Sequence, residues 1–249
     1  MGCHPDDIEF MMSGTLMLLR RVGWTIHYVN LANGCCGTDV EPVDRIVAIR
    51  RAEAQAAAGL LGAEFHESLV NDLEVFYEPE LLRKVTGLVR EVRPDIMVTQ
   101  ALDDYMEDHV NTARIAVTAA FCRGMKNYRS IPDRPPFSTD LMVYHATPHT
   151  LTDPMRRPIV PELYVDIGAV LEEKRAMLAC HRSQASWLDR SQGMGSYVSV
   201  MGDTAEAVGR LSGRFSYAEG WRRHSHVGFC ARDGDPLADT LGVACLKRA

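Results

Sequence analysis

The chain has 249 residues, 46% of them hydrophobic and 24% charged, with a formal net charge of −6. That length allows one large domain or two small ones with a substantial core. The acidic balance excludes a general nucleic-acid or anionic-membrane binder, whose surface needs a basic face. No run of about 18 apolar residues is present to form a transmembrane helix, and Met1–Asp7 lacks the basic and apolar regions of a secretory leader. Seven cysteines, an odd number in a chain too large to need staples, read as free thiols of an intracellular, cytoplasmic protein.

In chain order, Ser13 is placed to cap a helix that reaches Arg21 and closes at Gly23, and Thr25–Leu31 has the content of a strand. Residues Pro42–Leu61 carry Val43, Ile46, Ile49, Ala52, Ala56 and Leu60 at helical spacing and stop at Gly62. Glu64–Leu69 reads as a short strand. Pro79–Val92 presents one wide apolar stripe, ended by Arg93-Pro94. Ile96–Thr99 is a compact strand and Asp108–Arg123 a helix. Lys126–Pro136 is a proline-punctuated loop, followed by strands at Leu141–His145 and Leu163–Ile167 and a helix from Val170 to His181. Ser183–Gly195 and Arg232–Pro236 read as loops. There is no internal repeat or low-complexity tract.

This alternation of strand and helix predicts an α/β fold: a Rossmann-like, mostly parallel sheet of order 3-2-1-4-5, flanked by helices and carrying a C-terminal elaboration. Residues 1–249 form one domain in this reading. Residues 1–125 are its metal-binding core, and 126–249 complete the sheet and the substrate pocket.

Chemistry concentrates at His4-Pro5-Asp6-Asp7, an imidazole and two carboxylates at the entry to a helix. Imidazole and carboxylate are ordinary zinc ligands, and His4 and Asp7 can reach one ion from a tight turn that Pro5 restricts. A catalytic site needs three protein ligands and an open position, and the candidate for the third is His109, within Asp103-Asp104-Tyr105-Met106-Glu107-Asp108-His109. His4 follows the position of strand 1 and His109 follows strand 4. These are neighbours at the switch point of a 3-2-1-4-5 sheet, where ligands bind outside the carboxyl ends.

His4-Pro5-Asp6-Asp7-Ile8-Glu9-Phe10 with Gly14-Thr15-Leu16 resembles the opening motif of the LmbE/PIG-L family of zinc-dependent de-N-acetylases. Asn33-Gly34, Arg50 with Glu53, Leu61-Gly62, Asp72, Arg93-Pro94-Asp95 and Asp108-His109 fall where that family has such residues. Val165-Asp166-Ile167, Glu173-Lys174, His181-Arg182-Ser183-Gln184 and Tyr217-Ala218-Glu219-Gly220 resemble its bacillithiol-type branch, which deacetylates N-acetylglucosaminyl malate.

The resemblance implies a metal-dependent hydrolase that removes the N-acetyl group from an N-acetylglucosamine-type sugar or conjugate. His4, Asp7 and His109 would hold Zn2+, with Fe2+ as the other metal such donors accept. Asp6 would be the general base, returning its proton to the leaving nitrogen. Arg50, Asp72, Asp108 and Tyr105 would contact the small-molecule amino-sugar substrate. A homo-oligomer is compatible with this reading, and neither nucleic acid nor a membrane span belongs to it.

The chain departs from the family pattern at Met106, where a histidine assigned to oxyanion stabilisation or acid catalysis is usual; Tyr105, His145 and His149 are the candidate substitutes. Arg50 and Glu53 also stand at the spacing of a simple helical ion pair. Cys35-Cys36 are spaced unsuitably for a zinc knuckle, His224-Ser225-His226 reads as an exposed strand or substrate-facing edge, and His181 as structural at a helix end. Two rival functions remain: a metal-dependent hydratase or lyase on a small carboxylic acid, and a non-catalytic sugar-binding relative. Finally, the predicted fold needs a central strand leading into His4. Met1–Cys3 spans only about 10 Å, so we expect the strand to be truncated, with residues missing upstream.

Overall fold

The computed structural model describes residues 1–192 and 197–248. In chain order it contains α1 (Asp7–Met11), α2 (Ser13–Arg21), β1 (His27–Val29), α3 (Val43–Leu61), β2 (Glu64–His66), α4 (Pro79–Val92), β3 (Ile96–Thr99) and α5 (Glu107–Cys122). Then follow β4 (Met142–Ala146), β5 (Leu163–Asp166), α6 (Leu171–Leu178), α7 (Arg182–Gln192), α8 (Tyr197–Ser212), β6 (Ala218–Arg223), α9 (Pro236–Leu241) and β7 (Cys245–Lys247). Local chemistry sets several boundaries. α3 stops at Gly62, whose φ of 66° takes the chain into the left-handed region. α4 opens on Pro79, whose missing N–H costs nothing in a first turn.

The fold is mixed α/β, and the expected continuous parallel sheet is not formed. β1 and β2 make a two-stranded parallel sheet, while a five-stranded sheet runs β3-β4-β6-β5-β7. Only its β3–β4 pair is parallel; β4–β6, β6–β5 and β5–β7 are antiparallel. Between the two sheets lies Met1–Cys3. Gly2 N–H donates to Val29 O at 2.9 Å, Leu31 N–H donates to Gly2 O at 3.1 Å, and the Met1 amino group donates to Val98 O at 2.9 Å. β1 and β3 do not pair with each other. Three residues at about 3.3 Å each are too short to bridge them along their length.

Side chains alternate across these strands into two cores. Tyr28 and Val98 pack with α2, α3 and α6 residues such as Leu19, Ala57 and Met177. Met97 and Val143 pack on the other side with Val85 and Val89 of α4 and Ile115 and Ala119 of α5. The segment expected as a loop from Ser183 is helical to Gln192, and Gly193–Gly195 lies outside the described residues. α8 was not anticipated at all, its Gly202 and Gly209 weakening the helical signal. Among the described residues, no helix is long and apolar enough to cross a membrane.

Candidate metal centre and active site

The first loop is held by its backbone. Asn30 Nδ2 donates to His4 O, and Asp7 Oδ2 accepts from His4 N–H at 2.7 Å and from Gln100 Nε2 at 2.9 Å. The chain then enters α1 through Asp6, whose φ of 122° is unusual for any residue but glycine. Such strain persists only where surrounding structure over-determines it, and it clusters at functional sites.

His109 reaches the same place from the first turns of α5. Three donor atoms from two distant segments form a near-equilateral triangle. His4 Nδ1 is 3.3 Å from His109 Nε2 and 3.5 Å from Asp7 Oδ2, and His109 Nε2 is 3.4 Å from Asp7 Oδ2. Ligands about 2.0–2.1 Å from one ion at tetrahedral angles stand about 3.3 Å apart. The donor set and its spacing therefore fit a divalent metal with an open fourth position.

Each imidazole is oriented by a carboxylate on its far nitrogen. His109 Nδ1 lies 3.1 Å from Asp104 Oδ1, and His4 Nε2 lies 3.2 Å from Asp108 Oδ2. Such outer partners fix ring orientation and tautomer at metal sites. Cys3 Sγ also falls within 4.8 Å of His4 and Asp7 donors. The Cys3 side chain is fully buried, and burial pushes its thiol up to about 11, which leaves it a neutral thiol behind His4.

Charge is dense here. Burial opposes ionisation of Asp7, but the His109 and His4 rings overcome it and hold the carboxyl well below its usual range. Asp6 goes the other way: burial raises it, against the pull of the Arg50 guanidinium. Arg50 Nη2 is 3.5 Å from Asp6 Oδ2 and also donates to Pro5 O, while Nη1 donates to Gln184 Oε1. The Tyr197 hydroxyl at the start of α8 is hydrogen-bonded to Asp6 as well.

These groups line a cavity of about 240 Å³. Of the expected site residues, His4, Asp6, Asp7, His109, Arg50, Asp72 and Tyr105 all border it. Asp108 does not. Expected as a substrate contact, it sits behind His4 and accepts the Leu73 N–H at 2.7 Å. Arg50 does not pair with Glu53, which instead accepts from Ser183 N–H and Oγ. Asp72 anchors the loop at the cavity mouth, accepting from Gly34 N–H at 2.6 Å and Cys36 N–H at 2.8 Å.

The candidates to stand in for a histidine at Met106 separate clearly. His145 points away from the cavity, to Gln100 O at 2.7 Å and His224 Nδ1 at 3.0 Å. His149 and Tyr105 both line it, their rings 5.9 Å apart, with the Tyr105 ring 5.8 Å from His109. Burial lowers His149, favouring the neutral ring. His181 is fully buried, 3.1 Å from Glu9. Asp104 and Tyr197 were missed by sequence reasoning. The only sequence signal for Asp104 was a carboxylate five positions before a candidate ligand, and Tyr197 had none.

Fold and site together define an α/β protein with a His₂-Asp donor triangle above a buried carboxylate. Residues 1–120 match the PIG-L family, described as GlcNAc-PI de-N-acetylase. The match spans the part of the chain that bears the donor triangle and includes its opening motif; the bacillithiol-type branch gains no separate support. The chain is 26% identical over 194 residues to the 4-oxalmesaconate hydratase of Pseudomonas putida KT2440, covering 74% of this chain and 72% of that protein. Its fold is similar to N,N'-diacetylchitobiose deacetylase from Pyrococcus horikoshii, with a TM-score of 0.75, 24% identity, and 95% and 86% of the two chains covered. It is also similar to the 4-carboxy-2-hydroxymuconate hydratase of Pseudomonas putida KT2440, with a TM-score of 0.73, 21% identity, and 94% and 96% covered.

Proposed function

We propose that this protein is a metal-dependent de-N-acetylase acting on an N-acetylated amino sugar or its conjugate, with residues 1–249 working as one domain. His4, Asp7 and His109 are the metal ligands, and Zn2+ is the first choice, though Fe2+ accepts the same donors. The observation that carries the reading is the 3.3–3.5 Å donor triangle beside buried Asp6, whose proton affinity is raised.

A divalent ion in the triangle would polarise the amide carbonyl and bring the pKa of a water toward neutrality. Asp6 takes the proton of the attacking water as its oxygen bonds to the acetamide carbon. Arg50 and Tyr197 hold the Asp6 carboxylate in place for that transfer. His149, neutral and on the cavity wall, donates a hydrogen bond to the oxygen that gains charge. As the C–N bond breaks, Asp6 returns the proton to nitrogen, because an amide anion is too poor a leaving group; the free amine and acetic acid leave, and the acid gives up its proton to become acetate. Arg50, Asp72 and Tyr105 line the wall where the sugar sits; each Asp72 oxygen keeps a further lone pair for a hydroxyl.

The similarity to hydratases favours a second reading, hydration of a small unsaturated carboxylic acid. The cavity's charge weighs against it. Among the described residues lining it, Arg50 is the sole Lys or Arg, and its guanidinium is already engaged by protein, whereas Asp6, Asp7 and Asp72 are all present. With a divalent ion bound these charges roughly balance, but no disengaged Lys or Arg is left on the described wall to pair with a substrate's several carboxylates; a neutral acetamido sugar needs none. Acetate release from N-acetylglucosamine conjugates by zinc-loaded protein is the expected result. Turnover of an unsaturated dicarboxylate with no acetate released from any acetamido sugar would overturn the reading.

A further inference from the structure

We propose that Cys35, Cys36 and Asp72 form a second cation site at the mouth of the cavity, taking a thiophilic d10 ion such as Zn2+ or Cd2+, and that filling it inhibits turnover. Adjacent side chains on a strand point to opposite faces. Here a turn closed by the Gly37 N–H on Gly34 O at 3.2 Å, with Gly34 at a φ of 78°, brings both thiols to one side, their Sγ atoms 3.8 Å apart. Two thiolates about 2.3 Å from one zinc at a tetrahedral angle also stand about 3.8 Å apart. An adjacent pair cannot close the loop of a structural zinc knuckle, but the third donor comes from another segment. An Asp72 oxygen lies within 4.8 Å of both sulfurs.

Asp72 brings negative charge whose described partners are neutral. Its carboxylate is buried and accepts only from two backbone groups, the Gly34 and Cys36 N–H, among the described residues. Each oxygen keeps a lone pair for an ion. Two soft sulfurs and one carboxylate suit a d10 cation and disfavour Mg2+ or Ca2+, which take oxygen ligands. Burial pushes the Cys35 thiol up to about 11, so the ion must displace its proton and binding tightens as pH rises. Cys36 and Asp72 line the cavity and Cys36 is exposed, so an ion enters directly from solvent. The site also adjoins the catalytic groups on two sides. Gly37 packs so closely on Arg50 that a Cβ there would strike Nη1, and Leu73, next to Asp72, donates its N–H to Asp108, the partner of His4. An ion held here occupies the Asp72 oxygens and stands where the sugar enters, a consequence that rests on the deacetylase reading.

The test uses the full chain carrying one equivalent of zinc, titrated with Cd2+. One further equivalent is expected to bind and to give the ultraviolet charge-transfer band of thiolate on cadmium. Cys35→Ser and Cys36→Ser should each weaken this binding at least about tenfold, the least that loss of even an outer partner costs a metal site. Cys180→Ser, Cys230→Ser and Cys245→Ser should leave the band unchanged. Acetate release should be lost in step with the band, and should persist in Cys35→Ser at the same Cd2+ concentration. A band that survives in the Cys35→Ser/Cys36→Ser double variant, or the absence of a second equivalent, removes the site. A filled site with undiminished acetate release removes the inhibition. Either result overturns the proposal. If no acetamido sugar releases acetate at all, it is the deacetylase reading that fails, and the band and its variants still decide whether the site exists.

Discussion

The Asp104 carboxylate gives the sharpest test of the proposed metal centre, because it touches a proposed ligand without being one. It is only 3% exposed, and its Oδ1 accepts from His109 Nδ1 at 3.1 Å and from Met106 N–H at 3.0 Å. Asp104→Asn can keep an oxygen on both donors, so the ring stays oriented while the negative charge that strengthens His109 as a ligand is lost. Removing such an outer partner costs about 10–100-fold in metal affinity. The asparagine variant belongs near the lower end, about 1.4 kcal/mol, and Asp104→Ala near the upper, about 2.7 kcal/mol. The alanine variant also strands the Met106 N–H and the His109 ring N–H, at about 1–3 kcal/mol of fold stability. Affinity is therefore read by chelator competition, alongside the melting temperature of the metal-free protein. If both variants bound zinc as tightly as the parent while the metal-free fold was intact, His109 would not be a ligand oriented by Asp104.

Other outcomes follow from the same geometry. His109→Ala is expected to lose stoichiometric zinc on dialysis, and unchanged metal content would take His109 out of the donor set. Asp6→Asn should lower acetate release by at least about 100-fold with metal content near the parent's; full activity would end the general-base assignment. Lys174 and Glu219 form an ion pair with side chains 1% and 3% exposed, and Glu219 also accepts the Gly14 and Thr15 N–H groups. Lys174→Met should destabilise by about 3–5 kcal/mol, readable as a fall in melting temperature of about 6–20 °C, and a change under 1 kcal/mol (~) would contradict the pairing's importance. His145 supplies a pH dependence. Burial lowers it from 6.5 to about 4, with His224 adding to the effect. The unfolded chain therefore binds this proton first, so stability is full above pH 6.5 and falls as pH drops toward 4, by about 3 kcal/mol for this group. Urea midpoints of parent and His145→Gln at pH 7 and 4.5 should differ in their pH dependence by most of that amount; parallel curves would refute it.

What the sequence made legible follows the range of the interactions involved. Pro79–Val92 and Ile96–Thr99 were bounded correctly because their ends are set by local chemistry, a proline at one helix start and Arg93-Pro94 between helix and strand. Thr25–Leu31 and Glu64–Leu69 were both drawn too long: β1 and β2 ladder over His27–Val29 and Glu64–His66 only, since strand length is decided by the partner and each has one partner. The same dependence hid α7, whose SQASWLDRSQ stretch is mostly polar, yet sends Gln184 across to Arg50. At the site, His4, Asp6 and Asp7 were readable as neighbours in sequence, and His109 as the partner that strand order would bring near. Asp108 was misplaced because adjacency to His109 in sequence says nothing of the His4 nitrogen it faces across the loops. Tyr197 and Asp104 bind a candidate base and a candidate ligand by contacts that no motif encodes. A local motif can therefore nominate the groups that meet an ion or a substrate. The groups that set their orientation and proton affinity are chosen by the fold.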